Sequence, residues 1–269
     1  MTCRTALALA LGVSLLAACA HRPPQTVPDL LARVLPTSVL LVGEQHDAPE
    51  HQALQRDVVQ TLARRDQLGA LVMEMVEQGR STQGLPSDAD EALVRDALGW
   101  IEQHGWSWAV YGPVVMAAVR SGAPVIGGNL PRAQMRGTMG QAHLDGVVNE
   151  GVLQRQRDSI RESHCDLLPE NQIAPMTRIQ LARDQSLAQT AAQAVIPGKT
   201  VVLVAGNGHV RPDLGVPLHL PPTVTHKVVV AQAGATTGTS APPADTVWHT
   251  PARPPRDHCA ELKQQMQKR

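Results

Sequence analysis

The sequence predicts an α/β fold, with a mainly parallel sheet that is flanked by helices and carries a helical insertion or lid subdomain. Short apolar runs bounded by Gly or Pro, typical of buried strands, alternate with segments of helical periodicity. Two of these runs end in the same pattern, a glycine followed three residues later by a histidine, at Gly43–His46 and Gly206–His209. Because the carboxyl ends of parallel strands share one edge of a sheet, a ligand site is expected at that edge.

The composition is that of a globular protein with a substantial core. The chain has 269 residues, 43% of them hydrophobic, and its 24 basic residues balance its 24 acidic residues. This balance argues against nucleic-acid binding, which usually requires a basic surface. Aromatic residues are scarce, with four Trp, one Tyr and no Phe, so that Leu, Val and Ala must fill the core and Tyr111 stands out.

The first residues have the pattern of a lipoprotein export signal. A basic residue precedes an apolar run that is too short to span a bilayer, and Leu16–Ala–Ala–Cys19 resembles a bacterial lipobox. We expect residues 1–18 to be a signal peptide, Cys19 to carry a lipid, and 19–36 to form a tether; an ordinary signal peptide cut nearby is the alternative. Ala20 after the cysteine indicates an outer-membrane lipoprotein, on the periplasmic side.

Two of the four cysteines remain for the folded domain. Cys3 leaves with the signal peptide and Cys19 takes the lipid, which leaves Cys165 and Cys259. In an oxidising compartment two thiols favour one disulfide, which would tie the C-terminal tail to the body. Metal ligation by this pair is less favoured, because neither lies in a C-x-x-C spacing.

The single domain expected over 37–269 opens with a strand that ends at Gly43 and a helix that starts at Pro49. Asp47 and Glu50 have the spacing of a capping box for this helix. Apolar runs, four-residue spacings and capping patterns indicate the later elements. The strands are expected at 69–75, 124–129, from 200, 226–232 and 246–250. The helices are expected at 49–65, from 87–90 towards His104, 111–119 with Gly122 as its cap, 176–195 and around Cys259. The helical lid is placed at about 78–175, with hairpin-like material at 132–165.

Four predicted strands end in polar groups, which are Glu44 with His46, Glu74, Asn129 and His209. Two histidines with one or two carboxylates are a reasonable ligand set for a divalent metal such as Zn, so Glu44, His46, Glu74 and His209 are candidate metal ligands. General acid–base chemistry by a carboxylate with a histidine is an alternative. A purely structural polar network at the sheet edge is the third interpretation.

The remaining polar residues of interest are expected to be structural. They are His51, His104 and His143, expected in solvent on helices, and Arg183 with Asp184, expected to form an ion pair. Arg183 and Arg211 are the arginines that could instead hold an anion near the crevice.

Several motifs, taken together and in order, resemble those of the ChaN-like haem-binding lipoproteins. They are Val42–Gly–Glu–Gln–His–Asp47, Met73–Glu–Met75, Asn129–Leu–Pro–Arg132, Ala182–Arg–Asp184, Gly206–Asn–Gly–His–Val–Arg211 with Gly215–Val–Pro217, and Cys259. The resemblance implies an α/β domain with a helical subdomain and a lipoprotein linked to haem or iron acquisition. The paired Gly-x-x-His motif is also similar to a wider superfamily that includes erythromycin esterases and Tiki/TraB-like proteins, some of them metal-dependent hydrolases.

The resemblance also implies a haem site. In the family, haem binding is associated with a tyrosine ligand and with dimers that sandwich haem, and tyrosine is a known type of haem-iron ligand. Tyr111 is the only tyrosine of the chain and therefore the candidate for this ligand. A histidine or Met116 could bind the iron instead. The alternative is that Tyr111 is a structural residue of the core. The other candidate haem contacts are His46 and Asn129 at the sheet edge, and His209, Arg211 and Arg132 for the propionates.

Two functional hypotheses follow. The first is an exported, non-catalytic lipoprotein that binds haem or iron, is attached to the membrane through Cys19 and forms a haem-bridged homodimer. The second is a metal-dependent hydrolase that uses Glu44, His46, Glu74 and His209 as its catalytic set.

Overall fold

A computed structural model describes residues 26–102, 105–235 and 243–267. The predicted signal peptide, Cys19 and His104 lie outside these ranges. The described residues form one sheet of six strands. The strands are β1 (Val39–Glu44), β2 (Leu68–Glu77), β3 (Val125–Asn129), β4 (Thr200–Gly206), β5 (His226–Ala233) and β6 (Thr246–Thr250).

The strand order is β3-β2-β4-β1-β5-β6, and every neighbouring pair is parallel. The predicted α/β fold with a parallel sheet is therefore confirmed. β1 and β4 are neighbours, and Glu44 pairs in register with Gly206. The two Gly-x-x-His motifs consequently follow adjacent strands, which is why they meet at one edge.

Helices cover both faces of the sheet. They are α1 (Val27–Val34), α2 (Pro49–Arg64), α3 (Glu91–Leu98), α4 (Trp108–Arg120), α5 (Arg132–Thr138), α6 (Glu150–Ser163), α7 (Glu170–Gln193), α8 (Asn207–Val210) and α9 (His258–Gln267). Leu40 and Val42 pack into a core with α1 to α4, whereas Val39 and Leu41 pack into a second core with α7. Burial on both faces explains why the central strands are continuous apolar runs.

The helices between 78 and 175, predicted as an insertion or lid, are divided between the two faces. α3 and α4 belong to the first core, and α4 packs against α2. α5 and α6 pack against α7, with a 3-10 helix at Ala142–Gly146 between them. It is α6 and α7 that face the carboxyl edge of the sheet.

The corner after β1 requires a glycine and does not use the predicted capping box. A Cβ on Gly43 would collide with Asn207 and Val210 of α8, so glycine lets α8 pack against β1. The N-cap of α2 is Ala48, without a side-chain capping bond, and Pro49 occupies the first helical position as predicted. The capping box was wrong because the carboxylate of Asp47 turns towards the C-terminal segment instead.

The predicted tether extends too far into the chain. Residues 27–34 form α1, whose N-cap Thr26 accepts a hydrogen bond from the N–H of Asp29 at 3.2 Å. Leu30, Leu31 and Val34 are buried in the first core. Their helical spacing, hidden among prolines and charges in the sequence, makes this segment part of the domain.

Three predicted helices have different starts in the structure, and one of them is α4, which begins at Trp108 rather than at Tyr111. α3 begins at Glu91, because Asp90 rather than Ser87 accepts the capping bond, from the N–H of Leu93 at 2.8 Å. It ends at Gly99, whose φ of 57° is left-handed, and so does not reach His104. α7 begins earlier than predicted, at Glu170.

The C-terminal elements are as predicted. β6 is an edge strand beside β5, and a short helix contains Cys259. The disulfide between Cys165 and Cys259 is confirmed, with a Cα–Cα distance of 5.6 Å, and it ties α9 to the end of α6. None of the helices in the described ranges is long and apolar enough to cross a bilayer.

Candidate functional site

A cavity of about 370 Å³ opens at the carboxyl edge of β1, β2 and β4, under α6 and α7. Most of the residues that line it have polar side chains. Its walls are formed by Glu44, Gln45, His46 and Glu74, by Gly206–His209, Arg211 and Leu214, and by Gln156, Ser159, Ile160, Ser163, Gln180 and Arg183. The four residues predicted as metal ligands or catalytic groups therefore line one cavity.

Glu44 is buried at the centre of a hydrogen-bond network. Its Oε1 accepts bonds from the Tyr111 hydroxyl at 2.5 Å and from His46 Nδ1 at 2.7 Å. Its Oε2 accepts bonds from the side-chain amides of Gln52 and Gln55, each at 2.7 Å. Four donors thus satisfy both oxygens, as a buried carboxylate requires.

His46 is oriented by Glu44 and presents its other nitrogen to the cavity. Since the carboxylate accepts at Nδ1, the proton of the neutral ring is on Nδ1 and the lone pair is on Nε2. Nε2 has no hydrogen-bond partner within the described ranges, and the side chain is 43% exposed. Burial by itself lowers the pKa of His46, but the hydrogen bond with Glu44 and the charge of Glu74 outweigh it and raise the pKa.

Glu74 is a second buried carboxylate of the cavity and is fixed by two donors. Its Oε1 accepts a bond of 2.5 Å from Arg183 Nη2, and its Oε2 accepts one of 2.7 Å from the N–H of Gly206. Burial alone would raise the pKa of Glu74, but the charges of His209 and Arg183 hold it well below its usual range. Glu74 is therefore ionised and cannot act as a proton donor near neutral pH.

His209 is held by Asp184, a residue of α7. The distance from Nδ1 to Asp184 Oδ1 is 2.5 Å, and Nε2 lies 3.5 Å from Glu74 Oε1. Gln180 also reaches Nδ1, at 3.1 Å. Burial by itself lowers the pKa of His209, but the charges of Glu74 and Asp184 raise it to about 9. His209 is consequently a cation at neutral pH, in addition to the arginines that line the cavity.

Tyr111 lies behind Glu44 and outside the cavity wall. It is 2% exposed, and its hydroxyl is used by Glu44. Burial and the charge of Glu44 raise the pKa of Tyr111 above its usual range, so the phenol stays protonated. Ligation of iron by Tyr111 would require this hydrogen bond to break, and the assignment stays a prediction.

Trp106 connects Tyr111 with His46 through ring contacts. Its indole lies 4.9 Å from the His46 ring and 5.8 Å from the Tyr111 ring, centroid to centroid. The contact with Tyr111 is edge-on, at an interplanar angle of 90°. Four of the chain's five aromatic residues lie between Trp100 and Tyr111, so its aromatic surface is concentrated beside this site.

The other predicted haem contacts are distributed around the cavity. Arg211 lines it, but its guanidinium is engaged with Asp213 at 3.0 and 2.8 Å. Asn129 accepts from Arg183 at 2.9 Å and donates to the backbone of Glu74, which places it behind the wall. Arg132 and Met116 also lie outside the wall, and Met116 is buried in the first core.

Two expectations about polar residues were wrong. His51 is fully buried; its Nδ1 accepts from the N–H of Gln45 at 2.9 Å and its Nε2 bonds Thr250 Oγ1 at 3.0 Å. Arg183 and Asp184 do not pair with each other, because adjacent helical residues point in different directions and reach Glu74 and His209 instead. His143 is exposed, as expected.

The described ranges contain no group of three or more His, Cys, Asp or Glu side chains placed to hold a metal ion. Glu44 and Glu74 lie next to His46 and His209, but their oxygens already accept bonds from Tyr, Gln, Arg and backbone donors. The predicted metal set is thus brought together without a ligand geometry, and that prediction gains no support here.

Sequence reasoning missed the role of the residues that support this site. They are Asp184 and Gln180 behind His209, Gln52 and Gln55 behind Glu44, and Trp106 beside His46. One signal was available for the glutamines, since they are polar residues three apart on a helix that follows Glu44 directly. Asp184 was named only as a partner of Arg183 and within the motif Ala182–Arg–Asp184, and no local pattern indicates its contact with His209, which lies 25 residues away.

Comparison with known proteins identifies the family and the fold. The family model described as haem-binding uptake, Tiki superfamily, ChaN matches residues 30–220. No curated protein sequence matches the chain significantly. One similar solved structure, described as cofacial heme binding to ChaN of Campylobacter jejuni, has 22% sequence identity and a TM-score of 0.65, and the match covers 82% of this chain and 89% of that one.

A second solved structure, that of the type III effector HopBA1, shares the fold. It has 17% identity and a TM-score of 0.53, and the match covers 86% of this chain and 97% of that one. At such identities the two structures establish the fold alone. The family model, which spans most of the chain and includes both Gly-x-x-His motifs, establishes more: the chain belongs to the ChaN family of haem-binding uptake proteins, within the Tiki superfamily.

Proposed function

We propose that this chain is an exported lipoprotein that binds haem for uptake, with the imidazole of His46 as the iron ligand. One observation carries the proposal. Nδ1 of His46 is bonded to Glu44 at 2.7 Å, while Nε2 lies beside the cavity without a partner in the described part of the chain. A histidine that donates one N–H to a carboxylate is oriented for ligation through its other nitrogen.

The residues around Nε2 fit a flat aromatic ligand. Gly206 leaves the space beside Nε2 open, since a Cβ there would lie 2.8 Å from this atom. Trp106 offers an aromatic surface next to the imidazole, at 4.9 Å between ring centroids. Bound haem would supply the iron centre, and the part of this chain is to hold and orient it.

The size of the cavity supports a haem-bridged homodimer as the assembly. Its volume of about 370 Å³ is at the lower end of the range of about 300–1,000 Å³ for small-molecule sites. Haem is larger than most such ligands and would be enclosed only in part, which leaves one face for a second haem or a second copy of the chain. Size-exclusion chromatography should give twice the protomer mass with haemin, and an unchanged elution would contradict the dimer.

Export and lipidation form the second part of the proposal. Leu16–Ala–Ala–Cys19 supports it, and so does the disulfide between Cys165 and Cys259, since such bonds persist in oxidising compartments. Expression in a Gram-negative host with labelled palmitate should give a labelled protein in the outer-membrane fraction. Cys19→Ala should abolish the label, whereas Cys3→Ala should keep it. Label in Cys19→Ala, or none in the wild type, would contradict lipidation.

A haemin titration of the purified apoprotein tests the site. The wild type should give a saturable Soret shift with one end point. His46→Ala should weaken binding at least tenfold and change the spectrum, because the ligand is lost, and Glu44→Gln should weaken it about 10–100-fold by disturbing the orientation of the ring. His143→Ala, at an exposed histidine outside this cavity, is the matched control. A spectrum unaffected by His46→Ala but lost in Tyr111→Phe would transfer the ligand role to Tyr111.

A hydrolase is the second candidate function, favoured by two carboxylate–histidine pairs that face one polar cavity. Glu44 orients His46 and Asp184 orients His209, an arrangement suited to a base and a cationic partner. Hydrolysis of activated esters, lost in His46→Ala, would support this function. Metal analysis of protein purified without chelator shows whether such a hydrolase depends on a metal. About one Zn per chain, lost in His46→Ala, indicates a metal-dependent enzyme. Absence of hydrolysis leaves haem binding as the only candidate.

A further inference from the structure

The segment that follows β6 lies beside the loop of His46. We call residues 251–257 the C-terminal strap. At its start, Thr250 Oγ1 is 3.0 Å from His51 Nε2, and just beyond its end Cys259 is bonded to Cys165 of the α6–α7 connection. The strap is therefore fixed at both ends, one near the start of α2 and the other near the end of α6. The β1–α2 loop and α6 also flank the cavity.

Arg253 is the unusual residue of the strap. Its Nε is buried and has no hydrogen-bond partner within the described ranges, whereas the side chain as a whole is 33% exposed. Its nearest acid is Asp47, with Nη2 and Oδ2 3.9 Å apart, which is too long for a hydrogen bond. A buried donor without an acceptor is unfavourable, so the position calls for an acceptor that the chain does not provide.

The other arginines near the cavity are already engaged. Arg183 bonds Glu74 and Asn129, and Arg211 bonds Asp213 through two nitrogens. Arg256, also on the strap, bonds Glu261 through two nitrogens. Arg253 Nη2 lies 3.9 Å from Asp47, the residue that directly follows His46, so this guanidinium lies beside the loop that carries the proposed iron ligand.

We propose that Arg253 binds a carboxylate of the ligand held at His46. A guanidinium remains charged at all relevant pH values, and its planar set of N–H donors matches a carboxylate. Haem carries two propionates, so Arg253 becomes the propionate-binding residue, in place of the predicted Arg132 and Arg211. The inference rests on the proposed haem-binding function. Asp47 is half exposed and can remain hydrated when the ligand carboxylate takes its place beside Arg253.

The test combines a change in the ligand with a change in the protein. Apoprotein is titrated with haemin and with haemin dimethyl ester, which has the same macrocycle without free carboxylates, and both affinities are measured from the Soret band. The wild type should prefer haemin by about tenfold, as expected for a charge-assisted hydrogen bond. Arg253→Gln should bind haemin about tenfold more weakly and the ester unchanged, so that the preference disappears. Arg253→Lys keeps the charge without the planar donors, and this variant should retain part of the preference for haemin over the ester.

The outcomes separate this inference from the function on which it rests. Wild type that binds haemin and the ester equally well would overturn the role of Arg253 while leaving haem binding intact. A preference lost in Arg211→Gln but kept in Arg253→Gln would place the carboxylate at Arg211 and also overturn the inference. No saturable binding of either ligand would remove the proposed function and this inference with it. Arg65→Gln, an exposed arginine at the other end of α2, is the control, and the melting temperature of each variant shows that it is folded.

Discussion

Asp184 Oδ1 lies 2.5 Å from Nδ1 of His209, and both side chains are buried. The bond directs Nε2 of His209 towards Glu74, at 3.5 Å. Glu44 has the same relation to His46, at 2.7 Å. The cavity therefore contains two imidazoles that are each oriented by a buried carboxylate, and the charge of Glu74 raises the pKa of both.

The first prediction concerns the pH dependence of stability. The pKa of His209 is raised to about 9, above the unfolded value of about 6.5. Its contribution to the free energy of unfolding is therefore fully present below about pH 6.5 and is lost as the pH rises through 9. Over that range we expect the free energy to fall, with a limiting slope of about 1.4 kcal/mol per pH unit for this group.

Asp184→Asn provides the check on this prediction. Without the charge of Asp184, the pKa of His209 falls, and urea denaturation between pH 6.5 and 9.5 should give a flatter curve than the wild type. The pKa of His46 is also raised, so the free energy of unfolding of the variant should still fall to some extent as the pH rises. Asp213→Asn, which removes a surface partner of Arg211, should keep the wild-type curve. Identical pH dependence in Asp184→Asn and the wild type would contradict the assignment.

The second prediction compares two glycines of one motif. Gly206→Ala adds a methyl group 2.8 Å from His46 Nε2, so the imidazole must move, and haemin affinity should fall about tenfold. Overpacking of this kind also destabilises the fold, by about 1–3 kcal/mol. Gly208→Ala is the matched control, because a Cβ there meets open space. Equal haemin affinities of the two variants would show that His46 Nε2 does not contact the ligand.

The third prediction separates the two candidate iron ligands by stability as well as by spectrum. Tyr111→Phe removes one of four donors to buried Glu44, and should lower the free energy of unfolding by about 1–3 kcal/mol. If His46 is the ligand, the Soret maximum of the haem complex stays where it is. Ser163→Ala, which removes a hydroxyl from the cavity wall, is the comparison and should change neither quantity appreciably. A wild-type stability in Tyr111→Phe would mean that the bond to Glu44 is not formed.

The fourth prediction concerns the disulfide. Its cysteines are 94 residues apart, and a crosslink over such a loop stabilises by up to about 4–5 kcal/mol in the chain-entropy model. Replacing both by Ser should lower the melting temperature and loosen the strap that carries Arg253, with a loss of the preference for haemin over its dimethyl ester. Wild type treated with reductant should reproduce both effects. An unchanged melting temperature would indicate that α9 adds nothing to the stability of the domain.

Local patterns were enough for most of the elements. Each strand from β1 to β6 is a run of apolar or β-branched residues bounded by Gly, Pro or polar residues, and each was predicted near its observed position. Errors occurred where capping depended on distant partners: Asp47 turns to the strap rather than to the first turn of α2. α1 was overlooked because its three core residues are a short signal in a Pro-containing segment, and only burial against the sheet makes that signal decisive.

The candidate site was predicted in part for a general reason. Parallel strands share a carboxyl edge, so polar residues that end separate strands must come close whatever the strand order. That argument identified Glu44, His46, Glu74 and His209. It could not assign roles within the set, because the pKa and orientation of each group depend on partners from α2, α4 and α7 that are distant in sequence.

The sequence by itself determined the α/β class, the strands and the pair of Gly-x-x-His motifs, since hydrophobic periodicity and turn residues act over a few positions. Only the tertiary structure decided that β4 lies beside β1, that Tyr111 bonds Glu44 instead of lining the cavity, and that Asp184 holds His209. Asp184 and His209 are 25 positions apart, and Tyr111 and Glu44 are 67 positions apart. Burial decides which of many possible polar pairs forms. The partners of His46 Nδ1 and of both nitrogens of His209 were settled in the same way, by the packing of helices on the edge of the sheet.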